Sequence, residues 1–134
     1  MALMNSRIKK YYDIAKIKLY PICRSLTGNG TRETLKIIKN NFPKLKIFKE
    51  KSGKRVFDWK IPPEWNIQDA FVLDKSDKKI IDFKQNNLHL VGYSVPVNKV
   101  IKRDELIKHL HSIPKQPKAI PYVTSYYKKT WGFC

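Results

Sequence analysis

The chain has 134 residues, 42% of them hydrophobic, and a formal net charge of +17. That length suits one domain with a real core, the apolar content excludes global disorder, and no apolar run approaches the roughly 20 residues of a membrane span. Two cysteines, Cys23 and Cys134, are too few for a disulfide-built secreted scaffold, and the charged N-terminus lacks the apolar stretch of a signal peptide, so a reducing cytoplasm is the expected location.

Ser6 is placed to cap a first helix. Ile8, Tyr11, Tyr12, Ala15, Leu19 and Ile22 recur at helical spacing, which predicts one apolar face and a packing role for both tyrosines. Pro21 ends or kinks that helix near Leu19. Thr27-Gly28-Asn29-Gly30 is a flexible loop, and Thr31 is expected to cap a second helix that buries Leu35, Ile38 and Phe42. A glycine-rich loop before a helix can cradle phosphate, but no GK[ST] follows and a helix precedes it, so a plain helix–loop–helix turn is the better reading. Arg24, between two apolar segments, would need carbonyls or a carboxylate such as Asp13 or Glu33 as a partner if partly buried.

Pro43 stops the second helix. Lys44–Glu50 reads as a strand, Lys51–Lys54 as a turn, and Arg55–Ile61 as a second strand with Phe57, Trp59 and Ile61 on one face. Basic strands with aromatics can stack single-stranded nucleic acid. Here the aromatics share a face with Ile61, so a core role is expected.

Pro62-Pro63 marks a boundary. Ala70–Leu73 and Ile80–Phe83 are apolar runs joined by the polar Asp74–Lys78, a hairpin pattern with a longer loop. Gln85–Asn87 is a second turn, and Leu88, Leu90 and Val91 offer a third strand. Gly92 suggests a bulge or close backbone approach, and Pro96 an edge or exit. Arg103–Ser112 reads as a short helix burying Leu106, Ile107 and Leu110. Pro114, Pro117 and Pro121 space an extended linker, and an aromatic segment, Tyr122–Cys134, follows.

The charge has two readings. A nucleic-acid or anionic-surface module would be this basic. Yet 23 of the 28 basic residues are Lys and five are Arg, spread along the chain with 15 Ile, as an AT-rich coding sequence produces. Bidentate phosphate readers favour Arg. A solvated lysine-rich surface is preferred, with nucleic-acid binding as the alternative.

Catalytic groups are sparse. His109 and His111, two apart on the expected helix, would face different sides and share no metal. His89, expected in a strand between Leu88 and Leu90, would point away from both and reads first as a structural residue. There is no HExxH, no zinc spacing and no GxSxG. Cys23 with His89 as a nucleophile pair rests on nothing but their coexistence. These residues alone name no metal ligand, no cofactor-binding residue and no catalytic residue.

Four blocks, LYPICRSLTGNGTRETL, VFDWKIPPEWNIQDAFV, IIDFKQNNLHLVGYSVPV and LHSIPKQPKAIPYVTSYYKKTWGFC, together resemble a bacterial family of aminopeptidase-like proteins of unknown function, often encoded among polysaccharide-biosynthesis genes. The resemblance runs from about Tyr12 to Cys134. It implies an α+β chain: N-terminal helices and a β-hairpin framing a small β-rich inserted domain, all part of a larger α/β zinc-exopeptidase-like domain followed by a C-terminal winged helix. Residues 1–61 and 114–134 would belong to the peptidase-like domain and 62–113 to the insert. The family's metal-binding block resembles CHPSxANNELSG and would lie downstream of WGFC; nothing here matches it. The resemblance thus implies the leading portion of a zinc aminopeptidase-like hydrolase, inactive by itself, with Trp131 and Phe133 packing under missing structure. Zinc and a peptide or amide substrate would belong to the longer protein. The insert would at most shape substrate access, with His89 and Tyr93 as its polar candidates, or serve as an oligomer interface.

Overall fold

The computed structural model describes residues 6–24 and 27–134. The stretch before Ser6, and with it the reading on a signal peptide, lies outside the described residues, as do Ser25 and Leu26 of the loop. The described residues mix helices with two small antiparallel sheets, an α+β composition. It divides into two compact units, Met1–Asn66 and Ile67–Cys134.

In the first unit, α1 spans Ser6–Asp13 and continues as a π-helical turn over Ile14–Leu19. The Tyr20 amide donates to the Ala15 carbonyl at 2.8 Å, five residues back, and this wider turn shifts the apolar spacing off a single stripe. Tyr11 stacks on Phe42, with ring centroids 5.3 Å apart. Tyr12 instead stays half-exposed beneath the Lys16 ammonium, so only one of the two tyrosines has the packing role the pattern assigns. Arg24 is exposed, and Asp13 pairs with Lys9.

Helix α2 spans Asn29–Asn41. Its start differs from the expected Thr31 cap, because the cap comes from far along the chain. The Asn66 side-chain oxygen accepts from the Asn29 amide at 2.7 Å, satisfying an orphan donor of the first turn. Gly28, at φ +113°, makes room for that visit; a Cβ there would lie 2.7 Å from the Trp65 carbonyl oxygen. An Arg32–Glu64 ion pair joins the same two stretches. The helix ends at Phe42, whose backbone at φ −131° and ψ 76° has left the helical region before Pro43, the region that proline disfavours in its predecessor.

The basic hairpin departs from its expected form. Lys44–Glu50 forms no strand. The hairpin is β1 (Arg55–Val56) on β2 (Trp59–Lys60), with Arg55 opposite Lys60 and Val56 opposite Trp59. Phe57 and Asp58 make a two-residue turn, with Phe57 at φ +52°. The expectation that Phe57 and Trp59 are core is therefore wrong. Phe57 is 90% exposed, because a turn residue cannot share a buried strand face, and Trp59, in a two-residue strand, is 47% exposed.

In the second unit, β3 (Phe71–Leu73) pairs with β4 (Lys79–Asp82). Ile80 bulges out between the partners of Val72 and Leu73. The Asp74 carboxylate closes the loop by accepting from the Ser76 amide, the Ser76 hydroxyl and the Lys78 amide at 2.7–3.0 Å. This is the local competition by which Asp specifies turns. The expected third strand begins as a 3-10 turn over Asn87–His89 instead. Asn86 causes it, since its side chain accepts from the Leu88 amide and diverts the backbone.

Helix α3 covers only Arg103–Ile107. The residues beyond leave it for a partner 23 positions downstream, because Phe133 bridges Leu90 antiparallel and Leu110 parallel. Ile107 and Leu110 consequently stay partly exposed, against the expected buried face. The core gathers at this crossing, where Val91 is 2% exposed and Tyr93 and Phe133 are each 7%. Phe133 thus already has its cover inside this unit, against the expectation that it waits for other structure.

Candidate functional site

The three histidines singled out by sequence converge on the segment Trp131–Cys134. His89 ends the 3-10 turn, and its Nδ1 lies 2.6 Å from the Cys134 carbonyl oxygen, while the Cys134 amide donates to the His89 carbonyl at 2.8 Å. A carbonyl only accepts, so Nδ1 carries the proton and in the neutral ring Nε2 keeps the lone pair. His109 repeats the device. Its Nδ1 lies 2.9 Å from the Trp131 carbonyl oxygen, and its ring stacks on the Trp131 indole at 3.7 Å between centroids. The Phe133 amide donates to the His109 carbonyl, and the His111 amide to the Phe133 carbonyl, both at 2.8 Å. His109 and His111 lie outside α3, so they flank the Leu110–Phe133 bridge and are not spread around a helix.

Gly132 permits the crossing. A Cβ there would lie 2.7 Å from the His109 carbonyl oxygen and 3.2 Å from Val91 Cγ2. Gly92 plays the part its sequence suggested. It bridges Thr124, and a Cβ would meet the Thr124 hydroxyl at 3.2 Å.

Tyr93, the other candidate, is buried at φ +63°. Its ring meets Tyr126 edge-on at 4.8 Å, and its carbonyl accepts from the Ser125 hydroxyl at 3.0 Å. His89 and Tyr93 therefore both face the 124–134 region through fastening contacts. Sequence reasoning missed the His109–Trp131 stack; a Trp and a His 22 residues apart carry no local signal.

Electrostatics around the crossing are mild. Glu105 lies 3.7 Å from His109 Nε2; the Lys108 ammonium holds its carboxyl below the usual range. Burial pushes both the Cys23 and Cys134 thiols up, the latter partly offset by a main-chain hydrogen bond from Val123. A raised thiol pKa leaves little thiolate at neutral pH, the reverse of an activated nucleophile. The donor set does not fit a metal either. Among the described residues, no group of three or more His, Cys, Asp or Glu side chains is placed to hold an ion, and no helix is long and apolar enough to cross a membrane.

Comparisons with known proteins agree on a family. Residues 64–134 match the family described as Domain of unknown function (DUF2172), a span made of the second unit and the three residues before it. A Clostridium acetobutylicum protein, provisionally named a polysaccharide biosynthesis protein with aminopeptidase-like domain, is 56% identical over 116 residues, covering 87% of this chain and 26% of the relative. A crystal structure of a provisionally assigned peptidase from Clostridium acetobutylicum superposes with a TM-score of 0.81 at 50% identity, over 95% of this chain and 32% of that one. The chain spans about a quarter of the length of the curated relative it matches.

Proposed function

The chain belongs to the family described as Domain of unknown function (DUF2172), whose relatives here carry aminopeptidase-like and peptidase names, and we propose that it is the leading portion of an aminopeptidase-like hydrolase. In this reading it supplies scaffold, and the chemistry resides in the longer protein. The observation that carries the reading is the superposition of nearly the whole chain on about a third of a peptidase structure at 50% identity.

The domain division proposed for the longer protein is residues 1–61 and 114–134 in a zinc-exopeptidase-like α/β domain, with 62–113 as a β-rich insert. The zinc implied by the resemblance finds no matching donor set among the described residues, so no step of hydrolysis is assigned to this chain. What these residues do is hold shape. His89 and His109 clamp the main chain of Trp131–Cys134, and Tyr93 fills the core beside them. The substrate proposed for the longer protein is a peptide or another amide, in a polysaccharide-biosynthesis setting like that of the named relative.

The test is an aminopeptidase assay on this 134-residue chain with aminoacyl chromogenic substrates and added zinc. No turnover above buffer is expected. Turnover that a chelator abolishes and zinc restores would overturn the scaffold reading.

A further inference from the structure

The basic hairpin and the segment before it carry three aromatic rings that the fold of the described residues leaves uncovered. Phe48 is 84% exposed, Phe57 90% and Trp59 47%. Phe57 is the sharpest case. It occupies the first position of a two-residue turn at φ +52°, where Gly, Asn or Asp would sit without the steric cost. Neither turn geometry nor packing selects a phenylalanine there, and a broken local rule with no structural return points to function.

Charge surrounds these rings. Residues 44–61 hold seven basic side chains against two acidic ones, a net charge of +5. Lys54 pairs with Glu50 at 2.5 Å. Arg55 Nε donates to the Phe57 carbonyl at 3.2 Å, and Lys44, Lys46, Lys49, Lys51 and Lys60 complete the set. Among the described residues the main chain of 46–50 bonds to no other main-chain group, so a basic segment outside any helix or strand runs into the hairpin.

We propose that Lys44–Ile61 is a docking surface for single-stranded nucleic acid. Exposed rings interleaved with cations match a strand whose bases stack and whose phosphates seek positive charge. Duplex fits poorly, because its bases are already stacked. A bilayer fits poorly too, because every ring has a charged residue next to it or two away, Lys49 beside Phe48, Asp58 beside Phe57 and Lys60 beside Trp59, so no continuous apolar tip exists to insert. A second copy of the chain would bring like charges together.

The test is fluorescence anisotropy of a labelled oligothymidylate of about 15 nucleotides, titrated with the whole chain at several salt concentrations. Binding is expected, with log K falling linearly against log salt by about 0.7 per phosphate contact. Phe57→Ala should weaken binding about fivefold or more at an unchanged salt slope. Phe57→Tyr, which keeps a ring, should restore it, and circular dichroism should show both variants folded. Lys46→Gln with Lys49→Gln should flatten the slope by about 1.4, two contacts' worth. The proposal is overturned by no binding at low salt. It is equally overturned if duplex, heparin or anionic vesicles bind as tightly as the oligonucleotide, or if Phe57→Ala leaves affinity unchanged.

Discussion

Replacing Phe133 by alanine should strongly destabilise the second unit. The ring is 7% exposed and sits where the bridges to Leu90 and Leu110 cross. Its edge meets Trp131 at 6.4 Å between centroids. Truncating a buried Phe costs about 3–5 kcal/mol, the transfer loss plus the cavity left behind. At roughly 0.05–0.15 kcal/mol per residue, a unit of 68 residues has about 3–10 kcal/mol to lose. The substitution therefore removes about 30% of the stability at the least. The assay is urea unfolding followed by tryptophan fluorescence, in a background where Trp59→Phe and Trp65→Phe leave Trp131 as the reporter. The paired control is Phe57→Ala, at a position 90% exposed, expected within about 0.5 kcal/mol of the parent. A loss below about 1 kcal/mol for Phe133→Ala, or equal losses for both variants, would refute the argument that this crossing is the core.

Two further outcomes follow from the same contacts. Asn66→Ala should destabilise the first unit by about 1 kcal/mol, because it removes the side chain that caps α2 from 37 residues away; hydrogen exchange at the Asn29 amide should speed up more than exchange in the middle of α2, and uniform acceleration would argue against a local cap. The Asp74 carboxyl is held below its usual range, chiefly by the Ser76 hydroxyl and then by the Lys78 and Ser76 amides. Its folded value lies below the unfolded one, so its contribution is present above about pH 3.9 and is lost as pH falls through the folded value. Urea midpoints measured between about pH 2 and 5 should therefore fall on acidification, and Asp74→Ala should make that fall shallower.

Much of the local framework was legible in the residues. The β3–β4 hairpin follows from two apolar runs around an Asp-led loop, and the end of α2 from Pro43. Gly92 announced a close approach, and the structure puts Thr124 there. What stayed hidden depends on partners distant in sequence. Arg103–Ser112 has the spacing of a helix of ten residues, but Phe133 draws Leu110 and its neighbours into bridges, and only five remain helical. Thr31 has the chemistry of a cap, but Asn66 arrives first in the chain's own geometry, at Asn29. The turn at Phe57 was illegible for another reason. Phe57, the residue that takes the positive φ, does not advertise it, so the pattern was read as a continuous strand with a buried aromatic face. At the candidate site, His89 and Tyr93 were visible as polar residues in an apolar stretch, whereas their engagement with residues 124–134 is tertiary. His109 and His111 were misplaced together with the helix.

Zinc retention addresses the scaffold account most directly. The intact 134-residue chain is dialysed to equilibrium against micromolar zinc at neutral pH, and the metal per chain is counted. The account predicts no stoichiometric metal, since no three donor side chains of the described residues gather at one point. One or two zinc ions held per folded chain, released when His89 or His109 is replaced by Gln, would contradict it.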